Sequence, residues 1–104
     1  MSDKDLNEDA SDAAYWDRAD QIIKLVNSQC DNEDNDKVAS SLLYASARFS
    51  AFIVASMTNN VEEMKQDRDA AIKHFTEQFN SKLTENIDSY IENYEDFIQK
   101  FRKF

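Results

Sequence analysis

The sequence predicts an all-α protein: a three-helix antiparallel bundle with an extended C-terminal third helix, oligomeric through that extension. Three observations support this. The 104 residues include no glycine and no proline, and most tight hairpin turns need one of the two. Hydrophobic residues make up 41% of the chain and charged residues 32%, which is too apolar for a disordered chain. The apolar residues recur at helical spacing in three long segments.

The first two predicted helices follow an acidic flexible tail at residues 1–10. The first spans residues 12–30, with Ser11 as its N-cap. The second spans residues 37–57 and is apolar on two faces, which indicates a helix buried on two sides. Because Arg48 and several serines interrupt its most apolar part, we interpret it as a core helix that falls short of a membrane span.

The third predicted helix follows Asn60, which together with Glu63 fits the outline of a capping box. From Val61 to Phe101 the apolar residues advance in steps of three or four, with a mean of about 3.6, the period of a straight α-helix. This favours one helix from 61 to about 102. The alternative is a break near residues 80–86, which include weak helix formers.

The length of this third helix predicts self-association. At 1.5 Å per residue it would be roughly 60 Å long, against roughly 30 Å for each of the others. Residues 11–83 then form the bundle, and nothing in the chain covers residues 84–104. The apolar side chains assigned to an oligomer interface are Ile87, Tyr90, Ile91, Tyr94, Phe97, Ile98, Phe101 and Phe104. An uncovered row of this size favours association, so we expect a homodimer. The alternative is a fourth helix that folds back over its own bundle.

The charge distribution narrows the class of partner. The net charge is −9, and residues 1–36, with eleven acids and three bases, carry −8 of it. Because phosphate-binding surfaces need clustered Lys and Arg, we expect no nucleic acid partner and no membrane partner. One cysteine and an N-terminus without an apolar leader favour a cytoplasmic location.

The sequence lacks a recognisable set of catalytic or metal-binding residues. His74 is the only histidine and Cys30 the only cysteine, whereas metal sites usually need several such ligands. The acidic loop at residues 31–36 lacks the turn glycine of a calcium loop. We therefore expect no metal, no cofactor and no enzymatic activity.

Arg48 is the most informative charged residue, because it is the only charge between Val38 and Met57. A cation in an apolar helix is rarely left unpaired. A structural ion pair with an acid is one interpretation, with Tyr44 one turn away as an additional contact. The candidate acids are Asp17, Asp20, Asp67 and Glu77. The other interpretation is an anchor for an anionic ligand or partner.

Several segments resemble one small bacterial family. The clearest is Leu42-Leu43-Tyr44-Ala45-Ser46-Ala47-Arg48-Phe49-Ser50-Ala51-Phe52, and the others are Lys37-Val38, Asp17-Arg18-Ala19-Asp20, Phe75-Thr76-Glu77-Gln78-Phe79 and Glu85-Asn86-Ile87-Asp88-Ser89-Tyr90-Ile91. Together they resemble the domain-of-unknown-function 3144 family over about residues 14–94. The resemblance implies a bacterial, helical, single-domain protein, and it supplies no catalytic residue.

The predicted function is therefore a non-catalytic helical interaction or structural protein that self-associates through its C-terminal aromatic helix. The alternative is a ligand-binding bundle that uses the region around Arg48 and its aromatic neighbours. An enzyme is the least favoured of the three, because the sequence singles out no catalytic group.

Overall fold

The structure, a computed structural model, describes residues 12–102 and the side chains of residues 12–100. This part of the chain forms four α-helices and contains no β-strand: α1 is Ala13–Gln29, α2 is Asn35–Ser56, α3 is Val61–Glu92 and α4 is Tyr94–Arg102. The all-α class is confirmed, but the helices number four instead of three. The predicted acidic tail and Phe104 lie outside the described residues.

Helix α1 begins one residue later than predicted, because Asp12 and not Ser11 is its N-cap. The Asp12 Oδ1 accepts a hydrogen bond from the backbone N–H of Tyr15 at 3.0 Å. Asp caps a helix as well as Ser does, and its negative charge also suits the positive end of the helix dipole. At the other end the backbone N–H of Cys30 bonds to carbonyls of the last turn.

Helix α2 begins at Asn35, two residues before the predicted start. The carbonyl of Asp34 accepts hydrogen bonds from the N–H groups of Lys37 and Val38, both at 3.1 Å. The acidic connection therefore contributes to the first turn of the helix, where Asp36 is favourably placed against the helix dipole.

The prediction that α2 is buried on two sides is wrong for the single chain. Val38, 5% exposed, is the one buried hydrophobic residue among residues 12–100. Leu43, Tyr44, Phe49 and Phe52 of the same helix are all exposed. Apolar composition shows that covering a helix face lowers the free energy of the protein. It does not show whether the same chain or a second one covers that face.

The chain divides into two units, Met1–Phe49 and Ser50–Phe104. The described part of the first holds α1 and the greater part of α2, joined by the short connection after Gln29. The second holds the end of α2, then α3 and α4, and α4 contacts α3. The sequence-based division into 11–83 and 84–104 stays a prediction.

Helix α3 is continuous through residues 80–86, so the predicted alternative of a break there is wrong. The single helix to about residue 102 is also wrong, because α3 ends at Glu92 and Asn93 separates it from α4. The Asn93 Nδ2 donates to the carbonyl of Ser89 at 2.9 Å, and its backbone N–H donates to the same oxygen at 3.1 Å. Asn86 makes the same side-chain bond to the carbonyl of Lys82 at 2.7 Å inside the continuous helix, so this bond accompanies the end of α3 and does not by itself explain it.

The start of α3 confirms the predicted capping role of Asn60. Its Oδ1 accepts from the N–H of Glu63 at 2.8 Å, while the Glu63 Oε1 accepts from the N–H of Asn59 at 3.0 Å. We expect Asn60→Ala to lower the free energy of unfolding by about 1 kcal/mol, and Asn60→Gly by only a few tenths. Urea unfolding at one fixed protein concentration measures both, and an Ala variant as stable as the wild type would contradict the capping role.

Candidate interaction surface on α3 and α4

The second unit exposes a row of large apolar side chains, which we call the α3–α4 apolar face. Its members are Ile72, Phe79, Leu83, Ile87, Tyr90, Ile91, Tyr94 and Phe97. Their exposed fractions run from 38% at Phe97 to 67% at Ile91. The face begins at Ile72, before residue 84, where the sequence analysis placed the start of the oligomer interface. In the sequence the apolar residues already recur every three or four positions on both sides of residue 84. This spacing was the signal that could have placed the start of the face earlier.

The geometry of α3 separates this face from the charged side chains. At 100° per residue, Ile72, Phe79, Leu83 and Tyr90 lie within about 40° of one another around the helix axis. Glu85, Asp88 and Glu92 lie on the opposite side by the same calculation. The C-terminal half of α3 is therefore amphipathic, with one apolar and one acidic side.

An aromatic contact continues the face across the interruption at Asn93. The rings of Tyr90 and Phe97 meet edge to face, with centroids 4.7 Å apart and planes at 63°. This geometry is favourable for aromatic pairs. The contact ties α4 to the end of α3, and it makes Phe97 the least exposed member of the face.

Most of the predicted interface residues can be placed on this surface. Ile87, Tyr90, Ile91, Tyr94 and Phe97 belong to the face, and Ile98 is half-buried on α4. The side chain of Phe101 and all of Phe104 lie outside what the structure describes.

The α3–α4 apolar face offers apolar surface area and few groups that could take part in a chemical reaction. Burying one Phe, Leu or Ile side chain contributes roughly 1.5–3 kcal/mol, and a contiguous exposed patch of such residues marks an interaction site in soluble proteins. The arrangement is therefore suited to binding another apolar surface.

The structure does not bring Arg48 to either of the acids predicted for it within the first unit. Asp17 accepts a hydrogen bond from the Gln21 side chain at 3.0 Å, and Asp20 pairs with Lys24 at 3.3 Å. Arg48 itself is exposed, and Tyr44, one turn before it, is 66% exposed. The pairing of Arg48 with Asp67 or Glu77 stays a prediction.

The two residues examined for reactivity have ordinary surroundings. His74 is exposed, and its ring contacts that of Phe75 with centroids 5.1 Å apart. Cys30 is half-buried and forms no disulfide. Within residues 12–102 no three His, Cys, Asp or Glu side chains cluster closely enough to hold a metal ion. The expectation of a chain without metal or cofactor stays a prediction.

Helix α2 has the length and composition of a membrane-crossing helix. Over an 18-residue window its mean hydropathy is 1.5, and 6% of that window is buried. This corrects the sequence-based view that the segment falls short of a span. One such helix near the N-terminus is weak support for a membrane protein, and Arg48 near its middle would be costly at the centre of a bilayer. The expectation of no membrane partner stays a prediction.

Fold and surface together define a small all-α protein whose last two helices carry an uncovered apolar face. The chain belongs to the DUF3144 family of proteins of unknown function, whose sequence pattern matches residues 15–91. This confirms the resemblance seen in the sequence.

A solved structure supports the fold. The NMR structure of the protein NB7890A from Shewanella sp is similar to this chain with a TM-score of 0.72 and 25% sequence identity. The similarity covers 86% of this chain and 95% of that one. None of the curated proteins matches the sequence significantly. The family is thereby shown and the all-helical fold is supported, and the family is one of unknown function.

Proposed function

We propose that this protein is a non-catalytic helical interaction protein that forms a homodimer through the α3–α4 apolar face. The observation that carries the proposal is the exposure of eight large apolar side chains along α3 and α4, from Ile72 to Phe97. In the proposed dimer each copy buries the α3–α4 apolar face that a single chain leaves exposed. The predicted antiparallel bundle of helices then forms between the two copies.

A second copy of the chain is the simplest cover for this surface. A two-fold dimer is the commonest oligomer, and it places one apolar face against an identical one. The charges near the face are compatible. Residues 85–96 contain five acids and no base, whereas Lys100, Arg102 and Lys103 make the end of the chain basic. Antiparallel copies avoid placing the acidic stretch of one copy beside the same stretch of the other.

The remaining parts of the proposal follow from composition. The net charge of −9 disfavours nucleic acid, and a single histidine with a single cysteine offers few routes to catalysis. We place the protein in the bacterial cytoplasm, where a lone cysteine stays reduced.

A double substitution tests the face directly. Ile87→Ser with Ile91→Ser removes two exposed isoleucines per copy and so four per dimer. Because burial of each contributes roughly 1.5–3 kcal/mol, we expect the dimer dissociation constant to rise at least about 100-fold, even if burial is partial. Sedimentation equilibrium over a range of protein concentrations measures this constant.

The matched control is Asp88→Ser with Glu92→Ser, which changes the next residue in each case, on the acidic side of the same helix. It should leave the dimer at least as stable as the wild type, because it removes negative charge without touching the face. A wild-type protein that sediments as a monomer at micromolar concentration would refute self-association. Equal weakening by both double variants would refute the assignment of the face.

The alternative, a ligand site around Arg48 and Tyr44, has weaker support. Both side chains are exposed on one helix face, whereas binding sites for small molecules are concave and enclose most of the ligand. A surface groove in the first unit is lined by residues near the α1–α2 connection, Val38 and Lys37 among them, and includes neither Arg48 nor Tyr44.

A further inference from the structure

We infer that two copies of α3 pair antiparallel, with the two-fold axis at Leu83. The inference rests on the proposed function, since it takes the dimer as given and specifies its geometry. The partner surface is the α3–α4 apolar face of a second copy, whose α3 runs in the opposite direction.

The spacing of apolar residues is symmetric about Leu83. In an antiparallel pair with its axis there, a residue a given number of positions before Leu83 lies at the height of the residue equally far after it on the other copy. The resulting layers are Leu83 with Leu83, Phe79 with Ile87, Phe75 with Ile91, and Ile72 with Tyr94. These four layers are apolar on both sides, and their side chains are exposed except for Phe75, which is half-buried. Two members of the face lie outside this match, since Tyr90 is at the height of Thr76 and Phe97 at that of Asp69.

A register shifted by two residues keeps the apolar pairs Phe79 with Leu83, Phe75 with Ile87 and Ile72 with Tyr90, but it loses the match farther from the axis. With the axis two residues earlier, at Ser81, Ile91 would lie opposite Ala71 and Tyr94 opposite Arg68. A large side chain would then face a small one, and an aromatic ring would face a cation. The side of α3 that contacts the second copy is not in question, because only one side of this helix is apolar.

Charge favours the antiparallel direction over the parallel one. Parallel copies in register would place residues 85–96, with five acids and no base, beside the same five acids of the second copy. Antiparallel copies about Leu83 place that segment opposite residues 70–81. Those residues contain Lys73 and Glu77 and carry no net charge with His74 neutral. Like-charge juxtaposition across an interface costs free energy, so the antiparallel direction is preferred.

Spin-label distances in the full-length dimer test the geometry. In a Cys30→Ser background, Asp67→Cys and Glu85→Cys are each labelled singly. The two positions are 18 residues apart, five full turns, so both labels point to the same outward side of α3. At 1.5 Å per residue and with the axis at Leu83, the two Glu85 labels are offset by about 6 Å along the helices and the two Asp67 labels by about 48 Å.

The expected result is a pulsed electron paramagnetic resonance distance of about 50 Å for Asp67 and about 20–25 Å, the width of a helix pair, for Glu85. Equal short distances at both positions would show a parallel dimer, which overturns the inference and leaves the proposed function standing. A long Glu85 distance with a short Asp67 distance would move the axis towards the start of α3 and also overturn it. A monomer in sedimentation would instead refute the proposed function itself.

Discussion

Leu83→Glu is expected to convert the dimer into a monomer at micromolar concentration. At the proposed two-fold axis this single substitution removes two buried leucines, which together contribute about 4 kcal/mol at roughly 2 kcal/mol each. It also places two carboxylates next to each other in an apolar surrounding, where an unpaired charge is strongly unfavourable. Since 1.4 kcal/mol corresponds to a factor of ten, the dissociation constant should rise by about 1,000-fold or more.

Sedimentation equilibrium measures the effect, and two variants control it. Ser81→Glu adds the same carboxylate on the opposite side of α3, where it should leave the dimer intact. Leu83→Met keeps the apolar volume nearly constant and should change affinity little. A Leu83→Glu protein that stays dimeric, with the wild-type dissociation constant, would remove Leu83 from the interface.

The thermal midpoint of the wild-type protein is expected to rise with protein concentration. Val38 is the one buried hydrophobic side chain among residues 12–100. In the proposed dimer most apolar burial therefore comes from association, which couples folding to dimer formation. Raising the concentration from about 1 to 100 μM is worth about 2.7 kcal/mol per dimer. For a folding unit the size of two chains, this corresponds to an increase of about 5–10 °C.

Circular dichroism at 222 nm, recorded in cells of different path length, follows the midpoint at each concentration. The Asp88→Ser, Glu92→Ser control should show the same dependence as the wild type, because its face is intact. A midpoint that does not change over this range would mean that the single chain is stable without a partner, which contradicts coupled folding and association.

Local features of the fold could be predicted from the sequence because they depend on neighbouring residues. The absence of glycine and proline together with a 3.6-residue period predicted helices, and the structure has them. The cap at Asn60 depends on a hydrogen bond to Glu63, three residues away, and such bonds recur wherever these residue types stand at this spacing.

The interruption at Asn93 could not be predicted from periodicity. The apolar spacing continues through it, from Ile91 to Tyr94 to Ile98, as in an unbroken helix. At the break the Asn93 side chain bonds to the carbonyl of Ser89, but Asn86 makes the same bond to the carbonyl of Lys82 inside the continuous helix. Asn is only a weak helix former, and its low helix propensity does not say which of several Asn residues in a helix will interrupt that helix.

The candidate surface was predicted in part. Exposure at Ile87, Tyr90 and Ile91 agrees with the interface expected from the length of the third helix, whereas the exposure of Ile72, Phe79 and Leu83 was not expected. These residues were assigned to the bundle because periodicity identifies which side of a helix is apolar but not what covers it.

By itself the sequence determined the helical class, the family and the side of each helix that is apolar, because composition and spacing act through short-range geometry. Only the tertiary structure decided which of those apolar sides stay uncovered in one chain and whether Arg48 meets the acids of α1. Those outcomes depend on which distant residues approach one another, and the free energy differences among the possible packings are small compared with the local preferences that build each helix.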